Sequence, residues 1–149
     1  MVRFLAEKKP DYSFVFIGKI DETQNGLPRY KNTYYLPVQP YEELYKFSKF
    51  FDVTMLPFNI NELTKHSNPL KILEYLASGK PVVSINIPEV LKYKDNIHVA
   101  SSYEDFLKGI EQYLEDRSEA SVIKRMQFAS QHSWEKRFDE IQNIIFCPR

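Results

Sequence analysis

An α/β fold is predicted for this chain: a doubly wound parallel sheet of about five strands, followed by C-terminal helices. Three observations lead there. Five apolar runs are short and do not alternate with polar residues, the pattern of strands covered on both faces. Segments with helical periodicity lie between most of the runs. After the fifth run come two helical stretches with no strand between them.

The runs are Phe14–Ile17, ending at Gly18; Thr33–Leu36, ending at Pro37; 53–56, ending at Pro57; Val82–Ile85, after Gly79 and Pro81; and His98–Ala100. Segment 41–50 places Leu44, Phe47 and Phe51 at helical spacing. Segment 70–78 carries Leu70, Leu73 and Ala77, with Ile72 and Leu76 widening the stripe. Segment 103–114 carries Phe106, Leu107, Ile110 and Leu114, and the last two helices are expected at 118–131 and Trp134–Phe146. Right-handed crossovers then place helices on both faces of the sheet. Val2, Phe4 and Leu5 read as the end of a helix without a capping start, which points either to a chain that opens inside a domain or to a frayed native N-terminus.

Composition narrows the function classes. The 149 residues suit one domain with its own core, and 43% hydrophobic and 27% charged residues place it among globular proteins. Twenty basic and twenty acidic residues cancel, so no nucleic-acid partner is expected. The single cysteine, Cys147, excludes an internal disulfide, and no Cys/His cluster has metal-ligand spacing. With no membrane-length apolar stretch and no signal peptide, a cytoplasmic location is expected. Only four glycines, and no Gly-x-Gly-x-x-Gly after any strand, argue against a dinucleotide-binding oxidoreductase.

Two long connections stand out. Segment 19–32 contains Asn25-Gly26 and Pro28 and reads as a loop. Segment 57–68 follows the third strand and is polar, with Asn59, Asn61, Glu62, Thr64, Lys65, His66, Ser67 and Asn68. Ligands of open α/β sheets bind beyond the carboxyl ends of the strands, where this loop feeds a helix. Asn68 suits the N-cap of that helix, Pro69 its first residue, and Gly79 the position just past its end. Free N–H groups at such a start suit a diphosphate. Lys71 in the first turn either adds to that site, is solvated, or pairs with Glu74 three residues on. Glu74 can accept two hydroxyl hydrogen bonds, as a ribose diol offers, or is an ordinary exposed helix glutamate.

The run Pro57-Phe58-Asn59, Asn61-Glu62-Leu63-Thr64, Asn68-Pro69-Leu70-Lys71 and Glu74-Tyr75-Leu76-Ala77-Ser78-Gly79-Lys80-Pro81-Val82-Val83 resembles the donor-domain signature of glycosyltransferases with two Rossmann-like domains (GT-B type). It is most similar to bacterial enzymes of cell-surface polysaccharide and teichuronic acid assembly. Tyr12 to Gly18, Tyr41 to Leu44, Phe51 to Val53 and His132-Ser133-Trp134 extend the resemblance over nearly the whole chain.

The resemblance implies a nucleotide-sugar-binding half whose donor is a UDP- or GDP-sugar, with no metal. Glu74 would hold the ribose. Ser67, Asn68, Pro69, Leu70 and Lys71 would lie against the diphosphate and sugar, and Val38, in the loop after the second strand, would meet the base through its main chain. A glycan or lipid-linked acceptor would be held by an N-terminal domain absent from this sequence, so the chain alone is expected to transfer nothing. The full enzyme could work peripherally at the inner membrane face.

Two departures qualify this. Many retaining relatives carry a glutamate eight positions before the ribose ligand, where this chain has His66. His66 itself and Glu62 are the candidates to take over its contact with the sugar. The strand that opens the family's domain is also missing, which implies a gap in the sheet. Direct pairing of neighbouring strands or self-association would fill it. A non-catalytic assembly module with a vestigial pocket is the alternative function.

Overall fold

β4 (Val82–Ile85) is the centre of the molecule. All four of its residues are buried, so both of its faces are covered, as its unbroken apolar character requires. It pairs in parallel with β3 (Thr54–Leu56) on one side and β5 (His98–Ala100) on the other. The computed structural model describes residues 1–19 and 29–146. Most of the loop expected at 19–32, with Asn25-Gly26 and Pro28, and the terminal Cys147 lie outside the described residues.

The remaining strands, β1 (Phe14–Ile17) and β2 (Thr33–Leu36), pair in parallel with each other and form a separate two-stranded sheet. The five expected strands are therefore present, all in parallel ladders, but divided two and three. β1 and β3 do not pair, so neighbouring strands do not close up directly.

Helices hold the two sheets together. α1 (Val2–Lys8), α2 (Tyr41–Ser48), α3 (Glu62–Lys65), α4 (Lys71–Ala77), α5 (Tyr103–Glu115), α6 (Glu119–Ser130) and α7 (Trp134–Phe146) follow the chain in that order. Pro88–Tyr93 adds a 3-10 helix whose Val90 and Tyr93 are buried in the core. α1 is fixed to the β1–β2 side by Asn32, whose amide donates to the Ala6 and Lys9 carbonyls at 3.2 and 2.9 Å. α1 meets α5 through the Lys9–Glu111 ion pair and the Phe4–Tyr103 ring contact. α2 meets α4 through Tyr41–Glu74 and Ser48–Ser78 hydrogen bonds. The core gathers Leu5, Phe14, Ile72, Leu76, Phe106 and Ile110 around β4.

Two expectations need correction. α4 begins at Lys71 with Leu70 at its N-cap, not at Pro69 with Asn68 capping. Residues 68–70 form a tight turn instead, in which the Leu70 N–H donates to Asn68 O at 3.0 Å. The first bonds are short-range, Ile72 N–H to Pro69 O and Leu73 N–H to Leu70 O. The buried side of α4 is centred on Ile72 and Leu76, both 0% exposed, while Leu70 is 49% exposed. Trp134, at the head of α7, is 79% exposed, and no residue of α7 is buried. An aromatic residue heading an amphipathic helix gives the same sequence signal whether its face meets this chain's core or another surface.

The end of α4 follows expectation. Gly79 has φ +73°, its N–H donates to Leu76 O, and the Lys80 N–H donates to Tyr75 O, which together make a Schellman cap. The buried Arg125 of α6 donates Nε–H to the Gly79 carbonyl at 2.8 Å, locking this corner to α6.

The turn into α5 carries a pH-sensitive contact. Asp105 accepts hydrogen bonds from the Ser101 N–H (2.8 Å) and hydroxyl (3.1 Å) and lies 3.1 Å from His98 Nε2. These bonds, the Ser101 backbone N–H foremost, hold its carboxyl below the usual aspartate range. A carboxylate with a lowered folded-state pKa adds stability above its unfolded value of about 3.9, and that stability is lost as pH falls through the folded value. Asp105→Asn should therefore melt at lower temperature than wild type at neutral pH. The difference should shrink at acid pH, and melting curves across pH 2–7 would reveal a constant difference if this contact were inert.

Candidate functional site

β2 and β3 deliver their chains to the same end of the molecule. Beyond β2, residues 37–40 lead into α2; beyond β3, residues 57–70 lead through α3 into α4. α3 was not expected within that polar loop. Its N-cap Asn61 accepts from the Thr64 N–H, and Thr64 Oγ1 accepts from the Asn61 N–H, a reciprocal capping box (both 2.9 Å). The sequence signal was present as Asn61 followed by Thr64, but a single turn is too short to show periodicity.

Glu74 projects from the exposed side of α4. Its Oε1 accepts a hydrogen bond from the Tyr41 hydroxyl at 3.1 Å. That bond joins the first turn of α2 to α4. The carboxylate in turn pushes the Tyr41 phenol above its ordinary pKa. Tyr41 escaped the sequence reading as a site residue, because a tyrosine opening a helix gives no local sign of its partner 33 residues away.

Val38 is exposed, 66% by area, as are Asn68 and Leu70, whereas Pro69 is buried beneath the turn. Lys71 does not bond Glu74; it borders a cavity that residues of β1 and β3 also line. Glu62 pairs with Lys65 of its own helix at 2.6 Å, and His66 is the exposed C-cap of α3. Val38, Asn68, Leu70 and Glu74 are thus all exposed, with Glu62 and His66 on or beside α3 in the connection between β3 and α4. The Glu74 Oε2 atom and the exposed turn are available to a ligand carrying hydroxyl donors.

Parallel strands in two sheets, alternating along the chain with helices, make this an α/β domain of the Rossmann-like kind. The family described as "Glycosyl transferase-like" matches residues 1–143, and the chain belongs to that family.

A relative is a Bacillus subtilis (strain 168) protein that carries the name teichuronic acid biosynthesis glycosyltransferase TuaH. It is 27% identical over 157 residues, which cover 95% of this chain and 38% of the relative. The chain therefore spans well under half the length of the relative it matches. No helix among the described residues is long and apolar enough to cross a membrane.

Proposed function

We propose that this chain is the nucleotide-sugar-binding half of a GT-B type glycosyltransferase that transfers a sugar to a saccharide or glycan acceptor in surface polysaccharide synthesis. The observation that carries the reading is Glu74: an exposed carboxylate on α4, next to a loop–helix junction at the strand ends, oriented by Tyr41. Family membership and the relative named for teichuronic acid assembly support the reaction class.

In this reading Glu74 accepts hydrogen bonds from the two ribose hydroxyls of a UDP- or GDP-sugar. The 67–70 turn lies along the diphosphate with Lys71 as the nearby cation. The 37–39 backbone meets the base. Transfer requires the leaving diphosphate to be stabilised as its bond to the sugar breaks, which fixed N–H dipoles and a cation accomplish without reorganisation. The acceptor and the rest of the cleft come from a second domain, so the isolated chain binds donor without transferring sugar.

Calorimetric titration of UDP and GDP against wild type and Glu74→Ala tests the reading. Binding that is lost in the variant supports it; no binding to either protein turns the assignment toward a module without a working pocket. Tyr41→Phe is expected to weaken nucleotide binding by only about 2- to 5-fold, because it frees the Glu74 side chain without removing its charge. A loss as large as that of Glu74→Ala would instead place Tyr41 itself on the ligand.

A further inference from the structure

Tyr41 opens α2 with its ring in solvent and its hydroxyl fixed. The residue is 69% exposed, yet the hydroxyl donates to Glu74 Oε1 at 3.1 Å. Other tyrosines of this region have their rings engaged. Tyr35 stacks on Phe16 with ring centroids 5.2 Å apart, and Tyr45 has the Lys49 ammonium 4.9 Å from its ring centre. Among the described residues no ring or cation packs on Tyr41.

Holding a side chain in one rotamer costs conformational entropy, and an exposed ring that touches nothing gains little in return. The tether here is charge-assisted. The carboxylate also pushes the phenol above its ordinary pKa, so the hydroxyl remains a donor at neutral pH. The result is a flat apolar surface presented in one orientation. Such a preorganised aromatic surface loses little freedom when a ligand settles on it.

Two bonds fix where that surface lies. α2 and α4 are joined by Tyr41–Glu74 and, about two turns along α2 and one turn along α4, by Ser48–Ser78. The two helices therefore run in the same sense, and Tyr41 stands at the end of the seam where both begin. Residues 37–40, which follow β2, lead directly into it. A ribose whose 2′ and 3′ hydroxyls rest on Glu74 carries its base on C1′, the carbon next to C2′. Base and Tyr41 ring then start from the same carboxylate, and aromatic rings attract at centroid separations of about 4.5–7 Å.

We propose that the exposed ring of Tyr41 is the platform on which the nucleobase of the donor stacks, with the Tyr41 hydroxyl holding the ring in place against Glu74. The inference rests on the donor-site reading and adds a contact to it: residues 37–39 meet the edge of the base, and Tyr41, next after Pro40, meets its face. The ring serves this purpose where an aliphatic side chain would not, because every base presents a π-face to it. Stacking tolerates any base. The platform therefore raises affinity for uracil and guanine alike and leaves the choice between them to the edge contacts.

The test uses the chain as it is, titrated with UDP, with GDP, and with ribose 5-diphosphate, which has the diol and the diphosphate but no base. Tyr41→Phe and Tyr41→Leu both lack the hydroxyl, so the comparison between them isolates the ring. Tyr41→Leu should bind the tighter of the two nucleotides roughly tenfold more weakly than Tyr41→Phe. The two variants should bind ribose 5-diphosphate equally, which also shows that both are folded. Equal nucleotide affinities in the two variants would overturn the proposal. So would a loss in Tyr41→Leu that is the same with and without the base, since the ring would then act through Glu74 alone. Nucleotide binding that disappears in Glu74→Ala while the Phe and Leu variants match would leave the donor-site reading standing and remove only the platform. Absence of nucleotide binding in wild type would remove both.

Discussion

Gly79→Ala is expected to lower stability by about 2–4 kcal/mol, the sum of a left-handed backbone that an L side chain resists and a steric clash. The residue has φ +73°, and a Cβ placed on it would stand 2.7 Å from Val122 Cγ1. Nothing near can give cheaply. Gly79 closes the Schellman cap of α4, and its carbonyl is held by the buried Arg125. Moving the glycine away from α6 would strain that charge-assisted bond.

For a chain of this length the cost corresponds to a fall in Tm of roughly 5–15 °C. The two contributions separate in a double-mutant cycle. Val122→Ala removes the clashing methyl, so Gly79→Ala should cost less in that background, while the backbone part remains. Equal costs in both backgrounds would assign the whole effect to backbone conformation. A Gly79→Ala protein as stable as wild type would contradict the corner geometry itself.

Glu74→Ala is expected to weaken nucleotide binding by roughly 30- to 150-fold, the equivalent of about 2–3 kcal/mol. A carboxylate that accepts two hydroxyl hydrogen bonds makes charge-assisted contacts, which are stronger than neutral ones. Glu74→Gln keeps the shape and one acceptor and should lose only about tenfold. The decisive comparison is with 2′-deoxynucleotides. Wild type should discriminate against them, and Glu74→Ala should not, because the group that reads the hydroxyl has gone. Undiminished discrimination in the variant would remove Glu74 from the ribose and leave its bond to Tyr41 as a structural tie between α2 and α4. The melting temperature should change little, since Glu74 is exposed and outside the core.

The two effects sit on one short helix, Glu74 at its middle and Gly79 just past its end, and they differ in how far the sequence announced them. Gly79 was legible because its cause is local: a helix that stops before Pro81 needs a residue tolerant of positive φ. Its clash with Val122 was not, because α6 reaches that corner only through the tertiary fold. Asn68 and Pro69 misled in the other direction. Their residue types suit a helix start, yet the chain uses them as a turn and begins α4 two residues later. Either outcome satisfies local preference, and packing of Ile72 and Leu76 into the core decides between them.

Sequence alone determined the elements and their order. Unbroken apolar runs marked all five strands, and helical periodicity marked α2, α4, α5, α6 and α7, because burial on two faces or one leaves a pattern readable along the chain. It also supplied the family motif around Glu74. What only the tertiary structure decided are relations between residues far apart. They include the Tyr41 hydroxyl on Glu74, the division of the strands into two and three, the exposed face of α7, and the cavity between β1 and β3. The physical reason is the same in each case. Periodicity records how much of a segment is covered, while the identity of the covering partner is fixed by long-range packing that no local window contains.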